Sequence, residues 1–153
     1  MVPIALRPAR ADDSEFCFRL HKASMGEVVT AIWGWDEQLQ REHHERVFRP
    51  GHWQIITADG TAIGMIDIDY RPDEIYLGRI EIDPGYQGRG IGGQLISALI
   101  GEARQKGQEL VLDVFVINYR ARALYRRLGL TEVARHGEGE LRIRMRSKNP
   151  ACG

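Results

Sequence analysis

The sequence predicts an α/β fold built on a mixed, mostly antiparallel sheet of about seven strands with a central parallel pair, flanked by about four helices. Three observations carry this. Strand-like alternation and helical periodicity interleave along the chain in the order β-α-α-β-β-β-α-β-α-β-β. Leu110–Val116 is almost wholly apolar, the pattern of a strand buried on both faces, and it follows a helix that follows a strand, so those two strands are expected to pair parallel. The chain of 153 residues is also long enough to bury roughly 70 % of its unfolded surface without metal or disulfide staples.

Ile4–Arg7 alternates briefly and closes at Pro8, a short first strand. Asp12 or Asp13 is placed to cap a helix with Phe16, Cys17, Leu20 and Ser24 on one face. Gly26 and Gly34 are expected to interrupt the next stretch, which holds Trp33 and Trp35. A second helix runs from about Asp36 to Phe48 and is stopped by Pro50-Gly51. Trp53–Ala58, the Asp59-Gly60 turn and Ala62–Tyr70 read as an antiparallel hairpin. Arg71-Pro72-Asp73 leads into a strand over Ile75–Ile82. From about Gly90 to Lys106, Leu95, Ile96, Leu99, Ile100 and Ala103 form one apolar stripe, ended by Gly107. Asn118–Leu128 is a short helix with Ala121, Leu124, Tyr125 and Leu128 on one side. Leu130–Arg135 and Leu141–Met145 close the chain as a hairpin across Gly137–Gly139. Residues 1–148 are expected to form one domain, with 149–153 as a short flexible C-terminal tail.

Composition narrows the function. Lys+Arg and Asp+Glu number 21 each, which argues against nucleic acid or an anionic membrane as the partner, since both select for basic excess. Hydrophobic content of 43 % and charged content of 27 % are those of a globular protein. No apolar run approaches the ~20 residues that span a bilayer, and residues 1–10 lack a signal-peptide core, so a cytoplasmic protein is expected. Cys17 reads as a small core residue and Cys152 falls in the tail; with no CxxC, CxH or HExxH spacing, no metal is expected. His43 and His44 are adjacent, pointing about 100° apart on a helix, and do not share one face.

Gly88-Arg89-Gly90-Ile91-Gly92-Gly93 sits between a strand and a helix, where free backbone N–H groups and the helix dipole favour an anion. Gly88, Gly90 and Gly93 satisfy the dinucleotide G-x-G-x-x-G spacing, with Asp113 following 20 residues later. Two features count against an oxidoreductase. Asp83-Pro84-Gly85-Tyr86-Gln87 intervene between strand and first glycine, and the strand comes late in the chain rather than opening a βαβαβ half. A phosphate-binding P-loop fails, because no Gly-Lys-Ser/Thr follows.

Gln87-Gly88-Arg89-Gly90-Ile91-Gly92 resembles the Q/R-x-x-G-x-G/A signature of the GNAT superfamily of acyl-CoA N-acyltransferases. Ile80-Glu81-Ile82-Asp83-Pro84-Gly85-Tyr86 resembles that family's fourth strand and its lead-in. Asn118, Ala121, Leu124, Tyr125 and Gly129-Leu130 resemble its second signature, an Asn near a helix start with a Tyr seven residues on. The similarity is strongest over residues 75–130, while the N-terminal third resembles the family in layout alone.

The resemblance implies acetyl-CoA as co-substrate. Its pyrophosphate is expected on the backbone amides of Gln87, Gly88, Arg89, Gly90, Ile91 and Gly92, with Arg89 either adding a charge-assisted contact or staying solvated. The pantetheine is expected along the backbone of Ile80 and Ile82, whose side chains read as core, with the thioester carbonyl near the N–H of Ile82. Tyr125 corresponds to the tyrosine that protonates the departing thiolate, although its apolar helix face also suits packing. Asn118 either bonds pantetheine or caps its helix. Glu81 is the leading candidate to take the amine's proton, directly or through water. Alternation puts it opposite Ile80 and Ile82, where an Arg79–Glu81 ion pair on a solvated face is the competing reading; Glu74, Asp67 and Asp69 are reserves.

For the acceptor, Glu27, Trp33 and Trp35 lie in the segment where the family chooses its substrate. Aromatics beside carboxylates suit a cationic amine, though both tryptophans also suit core anchoring and Asp36 suits an N-cap. The reading is therefore an N-acetyltransferase passing acetyl directly to a small-molecule or peptide primary amine in a ternary complex. No cysteine is placed to carry an acyl group, since Cys17 is far in sequence from the glycine loop. A non-catalytic acyl-CoA-binding module on the same fold is the alternative. The resemblance allows a homodimer without fixing its interface.

Overall fold

The computed structural model describes residues 3–148; the expected tail, with Cys152, lies outside the described residues. The strands are β1 (Ile4–Pro8), β2 (Gln54–Ala58), β3 (Thr61–Tyr70), β4 (Ile75–Ile82), β5 (Leu110–Phe115), β6 (Leu130–His136) and β7 (Arg142–Ser147). The helices are α1 (Ser14–Trp33), α2 (Glu37–Val47), α3 (Ile91–Gln105) and α4 (Tyr119–Arg127). Strand order is β1-β2-β3-β4-β5-β7-β6. β4 and β5 pair parallel as the element order implied, whereas β1–β2, β2–β3, β5–β7 and β6–β7 are antiparallel. The closing hairpin inserts its second strand, β7, beside β5, a placement that local pattern did not specify.

The chain divides into two compact units: residues up to 67 with 79–89, and residues 68–78 with 90 onward. In the first, Asp59 and Gly60 take φ of 50° and 80°, the left-handed pair that an Asp-Gly hairpin turn requires. Cys17 and Leu20 of α1 bury against Trp53, Ile55, Met65 and Ala9, with Phe16, Val47 and Phe48 at the margin. Two expectations are corrected in α1. The helix continues through Gly26 to Trp33, ending at Gly34, because one interior glycine costs only about 1 kcal/mol and buried Val29 lies beyond it. Asp13 stands at the N-cap, yet its carboxylate makes no capping bond to α1; it pairs with Arg7 at 2.8 and 2.9 Å and accepts from Arg10 N. Asp36 does cap α2, accepting from Leu39 N at 3.1 Å.

In the second unit, α3 buries Ile91, Ile96, Leu99 and Ala103, while Leu95 and Ile100 of the expected stripe are half-buried. Leu110, Val111, Leu112 and Val114 of β5 are buried, as a strand covered on both faces must be. Asp113 interrupts that run. It accepts from Tyr76 Oη at 2.6 Å and from both Nε and an Nη of Arg144, with His136 Nε2 2.6 Å away. Burial acts to raise its carboxyl, but bonds from Arg144, Tyr76 and His136 outweigh that and hold it below the usual aspartate range. Asp113 is thus spoken for by its own strands, which removes the acidic residue that a ribose would need.

Candidate active site

β4 carries a carboxylate where its pattern calls for a hydrocarbon. Ile75, Leu77 and Glu81 are buried on one side of the strand, with Ile80 and Ile82 half-buried. Period-two alternation correctly separates Glu81 from Ile80 and Ile82, but Glu81 has the covered side. The solvated Arg79–Glu81 pair does not form, and Ile80 and Ile82 are not core residues. Glu81, 5 % exposed, lies with Oε2 at 2.5 Å from Nδ1 of His21 on α1, while the Arg79 guanidinium sits over the Trp53 ring at 4.9 Å. Glu81 Oε1 is buried without a partner among the described residues. The reserve carboxylates are engaged elsewhere: Asp67 with His52 at 2.9 Å, Asp69 with Arg71 at 3.9 Å, and Glu74 with Arg71 and Arg146.

Backbone geometry fixes the end of β4. A Cβ on Gly64 of β3 would stand 2.5 Å from the Glu81 carbonyl oxygen, so only glycine permits this approach. Asp83 N donates to Ile63 O at 2.7 Å, and Gln87 Nε2 donates to Ile82 O at 2.8 Å, tying the glycine loop to the strand. The parallel ladder between β4 and β5 pairs Ile75, Tyr76 and Leu77 with Leu110, Val111 and Leu112.

After the Pro84–Tyr86 turn, Arg89 donates to Gly85 O at 3.1 Å and lies over Tyr86. Gly88 and Gly90 have φ of 76° and 80° with nothing within 4 Å of where a Cβ would sit. Gly90 is the N-cap of α3, whose first turn holds no acidic residue and no capping side chain. Helix bonding starts with Gln94 N donating to Gly90 O, so the amides of Ile91, Gly92 and Gly93 have no helical acceptor. Open space, amides and the positive helix end fit an anionic phosphate group.

Asn118 caps α4, accepting from Ala121 N at 3.3 Å, which realises the capping reading. Tyr125 is half-buried on α4, and burial alone pushes its phenol up to about 12, so it keeps its proton near neutrality. Burial likewise pushes the Cys17 thiol up to about 12, which leaves it inert as a nucleophile.

Around α1, Glu27 and Trp35 line an open concavity of about 580 Å³ with Lys22, Gly26 and Thr30. Trp35 Nε1 donates to Glu37 at 2.9 Å, Lys22 Nζ lies 5.8 Å from its ring centre, and the His21 ring lies 6.3 Å away. Trp33 is 59 % exposed and lies outside both the core and the concavity's lining, so it is not a core anchor.

Residues 14–130 match the family model described as the acetyltransferase (GNAT) family. The chain belongs to that family. Its enzyme class is accordingly that of an N-acetyltransferase. This GNAT chain is 27 % identical over 128 residues to a Bacillus subtilis (strain 168) protein provisionally named as a ribosomal protein bS18-alanine N-acetyltransferase, covering 82 % of this chain and 80 % of that one. It is 37 % identical over 86 residues to the N-alpha-acetyltransferase RimI of Mycobacterium tuberculosis, covering 54 % and 53 % of the two chains. Among solved structures it is similar to the PaiA N-acetyltransferase of Thermoplasma acidophilum in complex with coenzyme A, at TM-score 0.73, 18 % identity and coverage of 95 % and 99 %. That likeness is one of fold.

Two residues that touch Glu81 are not singled out by the sequence pattern. His21 reads as one more position on an amphipathic helix, and Gly64 as one glycine in a strand; only the pairing of α1 and β3 with β4 gives either a role.

Proposed function

We propose that this protein transfers the acetyl group of acetyl-CoA directly to a primary amine in a ternary complex, with residues 1–148 working as one domain. The observation that supports it most is the glycine loop from Gln87 to Gly92, where left-handed Gly88 and Gly90 leave open space before the uncapped first amides of α3. The backbone amides of Gln87, Gly88, Arg89, Gly90, Ile91 and Gly92 would hold the pyrophosphate, and the backbone of Ile80 and Ile82 the pantetheine. Asn118 would act by setting the start of α4 rather than by touching the co-substrate. Tyr125 is proposed as the donor to the departing thiolate, a role that suits a phenol kept protonated by burial. Glu81 is proposed to serve removal of the amine's proton.

The acceptor is proposed to be a peptide N-terminal amine or a small primary amine, drawn to Glu27 and Trp35 in the concavity beside α1 by ion pairing and cation–π contact. The names of the relatives favour the peptide. Release of CoA thiol from acetyl-CoA, with a hexapeptide bearing a free N-terminal alanine and with spermidine as parallel acceptors, tests this. Release dependent on either acceptor supports it. Binding of acetyl-CoA with no release across a panel of peptide and small-molecule amines would favour a non-catalytic acyl-CoA-binding module instead.

A further inference from the structure

We infer that His21 is the general base of this acetyltransferase and that Glu81 acts through it as a positioning residue, an assignment that rests on the proposed function above. A carboxylate at a core position of β4 is costly, and replacing such a charge by a hydrocarbon is often neutral or stabilising. The cost here is only half relieved, because Oε2 meets His21 while Oε1 is buried and unpartnered.

The geometry gives the charge a task. Nδ1 of His21 lies 2.5 Å from Glu81 Oε2, and in the inferred arrangement Nδ1–H is the donor and the carboxylate oxygen the acceptor. The neutral ring then bears its lone pair on Nε2, which makes no hydrogen bond among the described residues. His21 keeps 16 % of its side chain exposed against 4 % for Glu81, so the imidazole, not the carboxylate, reaches towards solvent. Its ring lies 6.3 Å from Trp35, whose indole lines the α1 concavity, and Lys22 and Ala23 of that lining follow it in the chain. Cys17 on α1 feels the charge of Glu81, His44 on α2 feels that of His21, and Arg79 on β4 acts on both. Arg79 is turned onto Trp53 and the buried Cys17 thiol stays protonated, leaving Glu81 as the carboxylate paired with the ring.

The ammonium of the acceptor gives one proton to Nε2, and Glu81 stabilises the resulting imidazolium, which later loses that proton to solvent. The freed nitrogen lone pair forms the C–N bond to the thioester carbonyl carbon as the C–S bond breaks. The second N–H proton ends on the leaving sulfur.

The test combines a structural and a kinetic readout on the full chain. Imidazole 15N–1H spectra of the wild type at pH 8 are expected to show His21 protonated at Nδ1, and an Nε2–H tautomer overturns the inference whether or not the protein acetylates anything. With acetyl-CoA and the alanyl hexapeptide, His21→Gln is expected to lower kcat by about 10²-fold or more and to leave KM for acetyl-CoA within about threefold. Free imidazole should restore part of the activity of His21→Ala, and Glu81→Gln should lose little further activity when combined with His21→Gln. A folded His21→Gln enzyme with kcat within threefold of wild type and an unchanged pH profile overturns it. If the wild type neither binds acetyl-CoA nor acetylates any amine, the acetyltransferase reading itself fails, and the base assignment falls with it.

Discussion

Gly64→Ala puts one methyl group into the closest backbone approach at the site. The new Cβ would lie 2.5 Å from the Glu81 carbonyl oxygen, 3.2 Å from Ile56 Cδ1 and 3.4 Å from Ile82 Cα. Ile56 can turn its terminal methyl aside; a carbonyl in a strand cannot. Glu81 must retreat by about 0.9 Å to reach the 3.4 Å at which ordinary contact begins. Overpacking of this kind costs about 1–3 kcal/mol, offset by about 0.4–1 kcal/mol from the stiffer unfolded chain. A net loss of about 1–2 kcal/mol lowers the melting temperature of a chain this size by about 2–8 °C. The same retreat moves Glu81 from His21 and shifts the backbone of Ile82, so affinity for acetyl-CoA and kcat should both fall. Thermal melts of the free protein and calorimetric titration with acetyl-CoA measure the two effects separately. A Gly64→Ala protein that melts at or above the wild-type temperature and binds acetyl-CoA equally well would refute the reasoning.

Three further outcomes are expected. Gly90→Ala has room for its methyl but must hold φ near 80°, at a cost of about 1–2 kcal/mol. Gly90→Asn should recover part of that stability while both variants bind acetyl-CoA more weakly in titration, because either Cβ stands where the phosphate approaches. Tyr125→Phe should reduce kcat for CoA release by about 10²-fold with the melting temperature unchanged, and equal kcat would remove the phenol from the chemistry. His44 is buried among Phe18, Phe48 and Trp53, and burial holds its imidazole below the usual histidine value. Below about pH 6.5 the unfolded chain therefore takes up a proton that the folded one refuses. Stability should be complete above that pH and fall as pH drops towards the folded value, and the difference in urea midpoint between pH 8 and pH 5 should shrink in His44→Gln.

Punctuation made much of the fold legible. Asp36 before α2, Asp59-Gly60 between β2 and β3, and Asn118 before α4 act locally, through bonds or dihedrals set by neighbours in sequence. The parallel step followed from a buried strand reached through a helix. Roles that depend on distant chain leave no local trace in the sequence. Gly26 looked like a break because its local propensity is poor, but packing of α1 overrides a penalty that small. Alternation told which side of β4 Glu81 shares, but not that α1 covers that side, since His21 lies 60 residues away. The same limit hid the partners of Asp113, which come from three other strands. The glycine loop was readable because Gly88, Gly90 and their amides belong to one short segment.

Thermal stabilisation by acetyl-CoA, with NAD as the comparison, tests the central claim most directly. At 100 times its dissociation constant a ligand stabilises the folded chain by about 2.7 kcal/mol, which raises the melting temperature by about 5–11 °C for a protein of this size. A shift of that size with acetyl-CoA, none with NAD, and its loss in Gly90→Ala is the predicted result. No shift with acetyl-CoA in the folded protein, or an equal shift with NAD, would contradict the assignment of Gln87–Gly92.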